Sequence, residues 1–264
     1  GGITVGGAPV TVRHVLAAGE TVSLAFEDTE SRPEPSDTPV DILFEDDFIL
    51  ATAKPPYMPT HESHGHRGDT LANAIAGEFA RRGVPFVFRA ATAPDADTSG
   101  ALLVAKTGYA AERFGTLVAN RRIEKTYLAL LTHAPTPPAG VIDSYIRRVG
   151  ESIILRASYP TGAPCEHAVT LYETTETIGG IAVVRCEPKT GRTHQLRVHF
   201  ASIGCPIVGD DLYGGGFAIP RQALHAAALA FVHPVTGADM RIECPLPPDL
   251  TAYLETLRKE ENHG

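Results

Sequence analysis

The chain has 264 residues, 43% hydrophobic and 20% charged, a composition typical of one large folded domain with a small appendage. No apolar run approaches the roughly 18 residues that cross a bilayer, so we expect no membrane segment. No signal peptide opens the chain, and its first residue is glycine rather than methionine, so we expect a trimmed N-terminus. The four cysteines form no C-x-x-C pair, which predicts reduced thiols in a cytoplasmic protein without a zinc site.

The net charge of −8 is unevenly distributed along the chain. Residues 1–50 contain ten acidic and two basic residues, and the rest of the chain contains equal numbers of each. The overall charge argues mildly against nucleic-acid binding, because phosphate contacts require lysine and arginine. A neutral body can still carry a basic face, so the charge does not exclude RNA.

The N-terminal residues form a unit of their own in the sequence pattern. Short alternating runs in residues 1–28 predict two or three small strands joined by Gly-Gly and Ala-Gly turns. Residues 29–38 are polar and acidic with two prolines, which indicates a linker. We therefore divide the chain into an N-terminal unit at 1–28, a linker at 29–40 and a main domain at 41–264.

In the main domain, strands outnumber helices. The predicted elements are a hairpin at 42–44 and 48–50, a helix capped by Asp69 and ending at Arg82, strands at 101–105, 127–131 and near 140–147, 167–174, 181–187, 225–232 and 239–244, and helices near 108–119, from Thr193 to Gly204 and from about Asp249. Helical spacing places Leu196, Phe200 and Ile203 on one apolar stripe. Because the strands come in runs rather than in strict β-α-β alternation, we predict an α+β fold with a largely antiparallel sheet.

Three polar segments are candidates for chemistry. The first, DADTSG at residues 95–100, comes directly before a buried strand, which would give Asp95 a rigid support. The same residue types also form a plain turn, because aspartate, threonine and serine bond to local backbone.

The second segment, KTGRTHQLRVH, enters a helix with Arg192, His194 and Arg197 in or next to its first turns. This suits an anion or a polar ligand, the alternative being a solvated basic helix start. In the third, RRIEKTY, Arg121, Arg122 and Lys125 precede a tyrosine; they would hold phosphate while Tyr127 stacks on a base. An exposed, charged edge strand is the alternative for this segment.

The histidines give little support for metal chemistry. His61, His64 and His66 share one loop, with no further ligand at a recognisable spacing and no carboxylate partner evident, so we expect no metal site there. His225 lies among small residues of a predicted core strand, where a structural role is the commoner one. No nucleotide, hydrolase or metalloprotease fingerprint is present, and the available aspartate, arginine, tyrosine and histidine fit a carboxylate-driven reaction without a cofactor.

Five segments, in order, resemble the RluA-type pseudouridine synthases over about residues 41–250. They are EDDFILATAKPPYMPTH, DADTSGALLVAKT, EKTYLAL, TGRTHQLRVHFASIGCPIVGDDLYGG, and LHAAALAFVHP followed by PLPPD. Residues 1–28 resemble the end of the small RNA-binding domain that often precedes this catalytic domain, without its helical first half. The resemblance implies the family's catalytic fold, preceded by a partial RNA-binding domain, and isomerisation of uridine to pseudouridine in large-subunit rRNA or tRNA, without cofactor or metal.

The resemblance also implies roles for individual residues. Asp95 falls where the family has its nucleophile, Tyr127 where a tyrosine packs on the base and is thought to help remove the C5 proton, and Arg197 where an arginine pairs with the aspartate. A buried carboxylate stays ionised only beside a positive charge, and a uridine must leave its stack to be reached, so these roles are physically reasonable. Arg192, Arg121, Arg122, Lys125 and His194 are the expected RNA contacts. We expect a monomer.

The residues on both sides of Asp95 depart from the family pattern. Ala93 and Ala96 stand where the family normally has basic residues, and Pro94 replaces a usual leucine. Proline fixes φ and lacks an N–H donor, so the carboxylate is expected to sit differently. Two alternatives therefore remain open: a catalytically weak RNA-binding protein on the same fold, and a small-molecule enzyme whose acidic surface excludes RNA.

Overall fold

The computed structural model describes residues 2–25, 32–63, 65–152, 154–162 and 165–263. The chain separates into two compact units, Gly1–Arg32 and Pro33–Gly264. In the first unit, β1 (Gly2–Val5) pairs antiparallel with both β2 (Ala8–Val10) and β3 (Val22–Ala25), as the alternating pattern predicts. The rest of the predicted third strand, from Phe26, lies outside the described residues. The assignment of this unit to an RNA-binding domain remains a prediction.

The second unit contains one large sheet. Its strands among the described residues are β4 (Asp41–Glu45), β5 (Ile49–Lys54), β6 (Ser99–Ala105), β7 (Glu124–Leu131), β8 (Ala139–Arg148), β9 (Arg156–Tyr159), β10 (Glu166–Ile178), β11 (Ile181–Pro188), β12 (Leu224–Val232) and β13 (Asp239–Glu243). The order is β4-β5-β6-β12-β7-β11-β10-β8-β9, with β13 paired to β12. The pairing of β6 with β12 is parallel and the other described pairings are antiparallel, which confirms the predicted α+β class.

Four helices pack on this sheet in the described part of the chain: α1 (Leu71–Arg81), α2 (Gly108–Ala119), α3 (Gln195–Ser202) and α4 (Pro248–His263). Strand β6 is buried along its whole length because its two faces meet different helices. Leu102 and Val104 join the cluster that contains the apolar face of α1, whereas Leu103 joins the one that contains Phe114 of α2. Each such buried leucine or phenylalanine side chain contributes about 1.5–3 kcal/mol, so the strand that follows Asp95 is strongly anchored.

Strand β6 approaches β12 closely where the two run parallel. Gly100 has φ +121° and stands opposite Ala226, and a Cβ on Gly100 would lie 2.3 Å from the Ala226 carbonyl oxygen. A side chain at this position would therefore push the two strands apart. Next to this pair, His225 Nδ1 lies 3.0 Å from Ser99 Oγ and its Nε2 lies 3.0 Å from the Cys244 carbonyl oxygen. The expected structural role of His225 agrees with these contacts.

Several local predictions were wrong. The cap of α1 is Thr70 rather than Asp69, because Thr70 and Asn73 form a reciprocal capping box while Asp69 bonds His66. Ile203 follows the end of α3 and is 38% exposed, so it does not continue the apolar stripe. Strand β9 was not predicted.

The predicted linker at 29–40 is not free along its whole length. Ser36 N–H donates to the Asn73 carbonyl oxygen at 3.0 Å, so this part of the segment lies against α1. None of the described helices is both long and apolar enough to cross a membrane.

Candidate active site

A cavity of about 490 Å³ lies where the loop before β6, the start of β7 and the loop before α3 meet. It contains all three residues to which the resemblance gives catalytic roles: Asp95, Tyr127 and Arg197. It is also lined by three of the expected RNA contacts, namely Lys125, Arg192 and His194. The other two lie elsewhere: Arg121 lines a second, adjoining cavity, and Arg122 is exposed and lines neither of the two.

Asp95 lies on a tight turn that ends in the buried strand β6. Thr98 N–H donates to the Asp95 carbonyl oxygen at 3.0 Å, so the segment is both a turn and part of the cavity wall. The side chain of Asp95 is 28% exposed, which leaves its carboxylate accessible from the cavity. The two interpretations of this segment are therefore compatible.

Two buried cations hold this turn through its backbone. Lys54 Nζ donates to the Ala96 carbonyl oxygen at 2.6 Å, and also to the carbonyl oxygens of Met58 at 2.8 Å and Pro55 at 2.9 Å. Arg221 Nη1 donates to the next carbonyl oxygen of the turn, that of Asp97, at 3.1 Å. The position of Asp95 is thus determined by groups from β5 and from the segment before β12.

The contacts of these two cations explain why both can be buried. Arg221 is paired to Asp249 of α4, with Nε 2.7 Å from Oδ2 and Nη2 3.1 Å from Oδ1. Lys54 is 1% exposed, and burial lowers the pKa of its ammonium to about 7. Its three carbonyl acceptors favour the ammonium form, because only that form has three N–H donors. Neither residue was predicted as functional from the sequence; their charge within otherwise largely apolar segments was the available signal.

Arg197 lies between two carboxylates. Its Nε and Nη2 donate to Asp210 Oδ2 and Oδ1 at 2.7 and 2.8 Å, and Asp210 is 0% exposed. Its Nη1 lies 3.6 Å from Asp95 Oδ2, an ion pair longer than a hydrogen bond. Asp210 therefore fixes the guanidinium in plane and leaves its remaining edge toward Asp95. Asp210 lies inside the longest family-like segment, but nothing in its local sequence distinguishes it chemically from other aspartates.

Tyr127 projects into the cavity from β7, an interior strand of the sheet between β12 and β11. The alternative of an exposed edge strand for this segment is therefore wrong. Removal of the phenol from solvent, together with the negative charge of Asp95, raises the pKa of Tyr127 well above its usual value. Tyr127 is a neutral phenol at physiological pH, suited to packing and hydrogen bonding.

The loop before α3 is shaped by its own hydrogen bonds. His194 caps α3 in the left-handed region, with φ +56°, and its Nδ1 lies 2.9 Å from Tyr213 Oη. Burial lowers the pKa of His194, so its imidazole is neutral at pH 7. Arg192 donates to the His167 carbonyl oxygen at 3.0 Å and to Glu166 Oε1 at 2.9 Å, yet it keeps part of its surface in the cavity. The polar density at this helix start is thus partly structural.

The histidine loop gives no metal centre in the part of the chain that the structure describes. His66 Nδ1 lies 2.8 Å from Asp69 Oδ2, so the expectation that the loop lacks a carboxylate partner was wrong. This pair is exposed, and no group of three metal-binding side chains occurs among the described residues. His64 lies outside them.

Comparison with known proteins identifies the family. The model of the RNA pseudouridylate synthase family matches residues 49–202. A Bacillus subtilis (strain 168) protein named "Uncharacterized RNA pseudouridine synthase YjbO" is 35% identical over 268 residues, which cover 100% of this chain and 92% of that relative. The chain belongs to the RNA pseudouridylate synthase family. The names of its relatives agree with the RluA-type resemblance and with an isomerase that converts uridine to pseudouridine.

Further relatives and solved structures support the same assignment. The "Ribosomal large subunit pseudouridine synthase D" of Xanthomonas campestris pv. campestris is 35% identical over 266 residues, covering 94% of this chain and 78% of that protein. Among solved structures, "Human RNA Pseudouridylate Synthase Domain Containing 1" is 26% identical with a TM-score of 0.67, covering 90% of this chain and 98% of that chain. The predicted pseudouridine synthase fold is confirmed.

Proposed function

We propose that this synthase modifies uridines in large-subunit rRNA, with Asp95 as nucleophile, Arg197 as its orienting partner and Tyr127 as support for the base. The single observation that carries the proposal is the convergence of these three side chains on one cavity, with Asp95 Oδ2 3.6 Å from Arg197 Nη1. Relatives that this chain matches over more than two thirds of their length are named ribosomal large subunit pseudouridine synthases, which favours rRNA over tRNA as the substrate.

The chemistry matches the residues present. Isomerisation breaks the N1–C1′ bond and forms the C5–C1′ bond. C5 loses a proton and N1 gains one, so the reaction consumes no co-reactant. An ionised carboxylate is the group that attacks the nucleotide. A guanidinium fixed by Asp210 faces that carboxylate and orients it without taking its place in the reaction. Tyr127, as a neutral phenol, packs on the rotated base.

The departures from the family pattern around Asp95 are compatible with activity. Ala96 does not supply a basic side chain, but its carbonyl oxygen accepts from Lys54 Nζ and from Met58 N–H, at 2.6 and 3.2 Å. Pro94 and Ala93 line the cavity beside Asp95. The inactive RNA-binding alternative is not favoured, because the relatives are named as synthases. A cytoplasmic location accords with the four cysteines, all free thiols.

The test is release of tritium from RNA labelled at uridine C5, with total RNA from a strain that lacks this gene as substrate. Wild type is expected to release tritium. Asp95→Asn should still bind RNA, but its rate of tritium release should be lower by a factor of more than roughly 10³. Asp239→Asn, which removes an exposed carboxylate of β13, is the matched control and should behave as wild type. Salt-sensitive RNA binding by a wild-type protein that releases no tritium would support the binding-protein alternative instead.

Mapping the modified positions separates the two RNA classes. Pseudouridine that appears in large-subunit rRNA but not in tRNA after incubation with wild type supports the proposed substrate. Modification confined to tRNA would refute the choice of rRNA while it leaves the synthase chemistry intact.

A further inference from the structure

A second cavity of about 460 Å³ adjoins the active site. It lies between the end of α2, the start of β7 and the end of β11. The two cavities share four lining residues: Lys125, Pro188, Gly191 and Arg192. An RNA strand that leaves the first cavity past these shared residues therefore enters the second cavity.

Of the two cations that line both cavities, Lys125 and Arg192, Lys125 has fewer partners for its charge. Its ammonium forms no hydrogen bond or ion pair with any side chain in the described ranges of the chain, and burial lowers its pKa. The carboxylates that line the second cavity are Glu124 and Glu187, and Glu187 is already paired to Lys189 at 2.7 Å. A half-buried ammonium without a counter-ion is costly to maintain, which suits a group that receives an anion.

The glycine of the wall leaves this ammonium uncovered. The backbone of Gly191 is in an ordinary conformation, and a Cβ built on it would have Lys125 Nζ as its nearest neighbour, at 3.7 Å. The backbone therefore does not require glycine there. A larger side chain at Gly191 would lie over the ammonium of Lys125.

The rest of the second cavity combines apolar and basic groups. Ile123 and Pro188 form apolar wall, together with Val118, which is 48% exposed. Arg121 also lines this cavity, in a left-handed conformation with φ +55° that is unfavourable for a non-glycine residue. Apolar wall for a base face and cations for a phosphate are the combination that binds single-stranded RNA.

We propose that the second cavity holds the nucleotide next to the target uridine, and that Lys125 binds the phosphate that joins the two nucleotides. This inference rests on the proposed function, because it presumes a uridine in the first cavity. A phosphate contact carries no sequence information, so the subsite anchors the displaced strand without selecting its sequence.

The test measures binding of a fluorescent oligouridylate about six nucleotides long over a range of NaCl concentrations. Lys125→Gln is expected to weaken binding about tenfold, since one charged hydrogen bond is lost. It should also reduce the slope of log affinity against log salt by about 0.7. Lys125→Arg should keep the slope, which shows that the Gln variant lost a charge rather than its fold. Lys259→Gln, a change in α4 outside both cavities, should match wild type.

Variants at Gly191 test the geometry with Lys125 still present. Gly191→Ala adds only a contact at van der Waals distance and is expected to bind within about twofold of wild type. Gly191→Leu is expected to reproduce the reduced salt slope of Lys125→Gln. An unchanged slope in Lys125→Gln, or equal losses in Lys125→Gln and Lys259→Gln, would overturn the inference.

The tritium assay separates this inference from the function on which it rests. If wild type and Lys125→Gln release tritium with the same KM and kcat, the subsite is refuted and the synthase function stands. If wild type releases none, the proposed function fails and the subsite fails with it. The expected result is a raised KM with a nearly unchanged kcat, because Lys125 binds RNA and does not touch the reacting bond.

Discussion

Replacing Asp210 with alanine would leave Arg197 as a buried charge without its principal partner. Two charged hydrogen bonds, at 2.7 and 2.8 Å, are removed from a carboxylate that is fully buried. Breaking a buried ion pair from one side costs about 3–5 kcal/mol. Asp95, 3.6 Å from Arg197 Nη1, can compensate only by moving toward the guanidinium. We therefore expect Asp210→Ala to lower both stability and activity.

Urea unfolding followed by far-UV circular dichroism measures the loss of stability, since the chain has no tryptophan to report it. With a slope of about 3 kcal/mol per molar urea, the midpoint should fall by about 1–1.7 M. The double variant Arg197→Met with Asp210→Leu removes the unpaired charge and should regain most of the stability but none of the activity. A midpoint shift below about 0.3 M in Asp210→Ala, or full activity in the double variant, would refute this account of Arg197.

Three further changes test other parts of the structure. Gly100→Ala is expected to lower the free energy of unfolding by about 3 kcal/mol or more, because its Cβ would lie 2.3 Å from the Ala226 carbonyl oxygen. A melting temperature equal to that of wild type would contradict the close approach of β6 and β12. Tyr127→Phe keeps the ring and loses the hydroxyl, so tritium release should show a lower kcat with little change in KM, and an unchanged kcat would limit Tyr127 to packing. Burial lowers the pKa of His199 to about 4, so as pH drops the unfolded chain is protonated at this histidine before the folded chain is. The free energy of unfolding should therefore fall by up to about 3 kcal/mol between pH 6.5 and pH 4. His199→Gln should flatten this pH dependence in urea titrations, and an equally steep curve would assign the dependence to other groups.

Elements with a strong local pattern were predictable. The helix at 108–119 and the strands around residues 127–131, 181–187 and 225–232 lie where their periodicity places them. The short strand β9 was not predictable, because four residues carry too little pattern and this strand forms by pairing with β8. The prediction of the N-cap of α1 was wrong for a related reason. Asp69 and Thr70 are both good caps, and the choice depends on partners, His66 for one and Asn73 for the other.

The active site divides in the same way between sequence and structure. The sequence alone determined the family-like segments and, through them, the three residues Asp95, Tyr127 and Arg197 that line one cavity. Only the tertiary structure shows that Asp210 fixes Arg197, and that Lys54 and Arg221 hold the turn after Asp95. These contacts join residues from separate segments of the chain. The residue type alone does not show whether a charged side chain is buried or solvated. Its partner is decided by which strands and loops the packed core brings together, because a charge is stable away from water only where that packing supplies its counter-ion and acceptors.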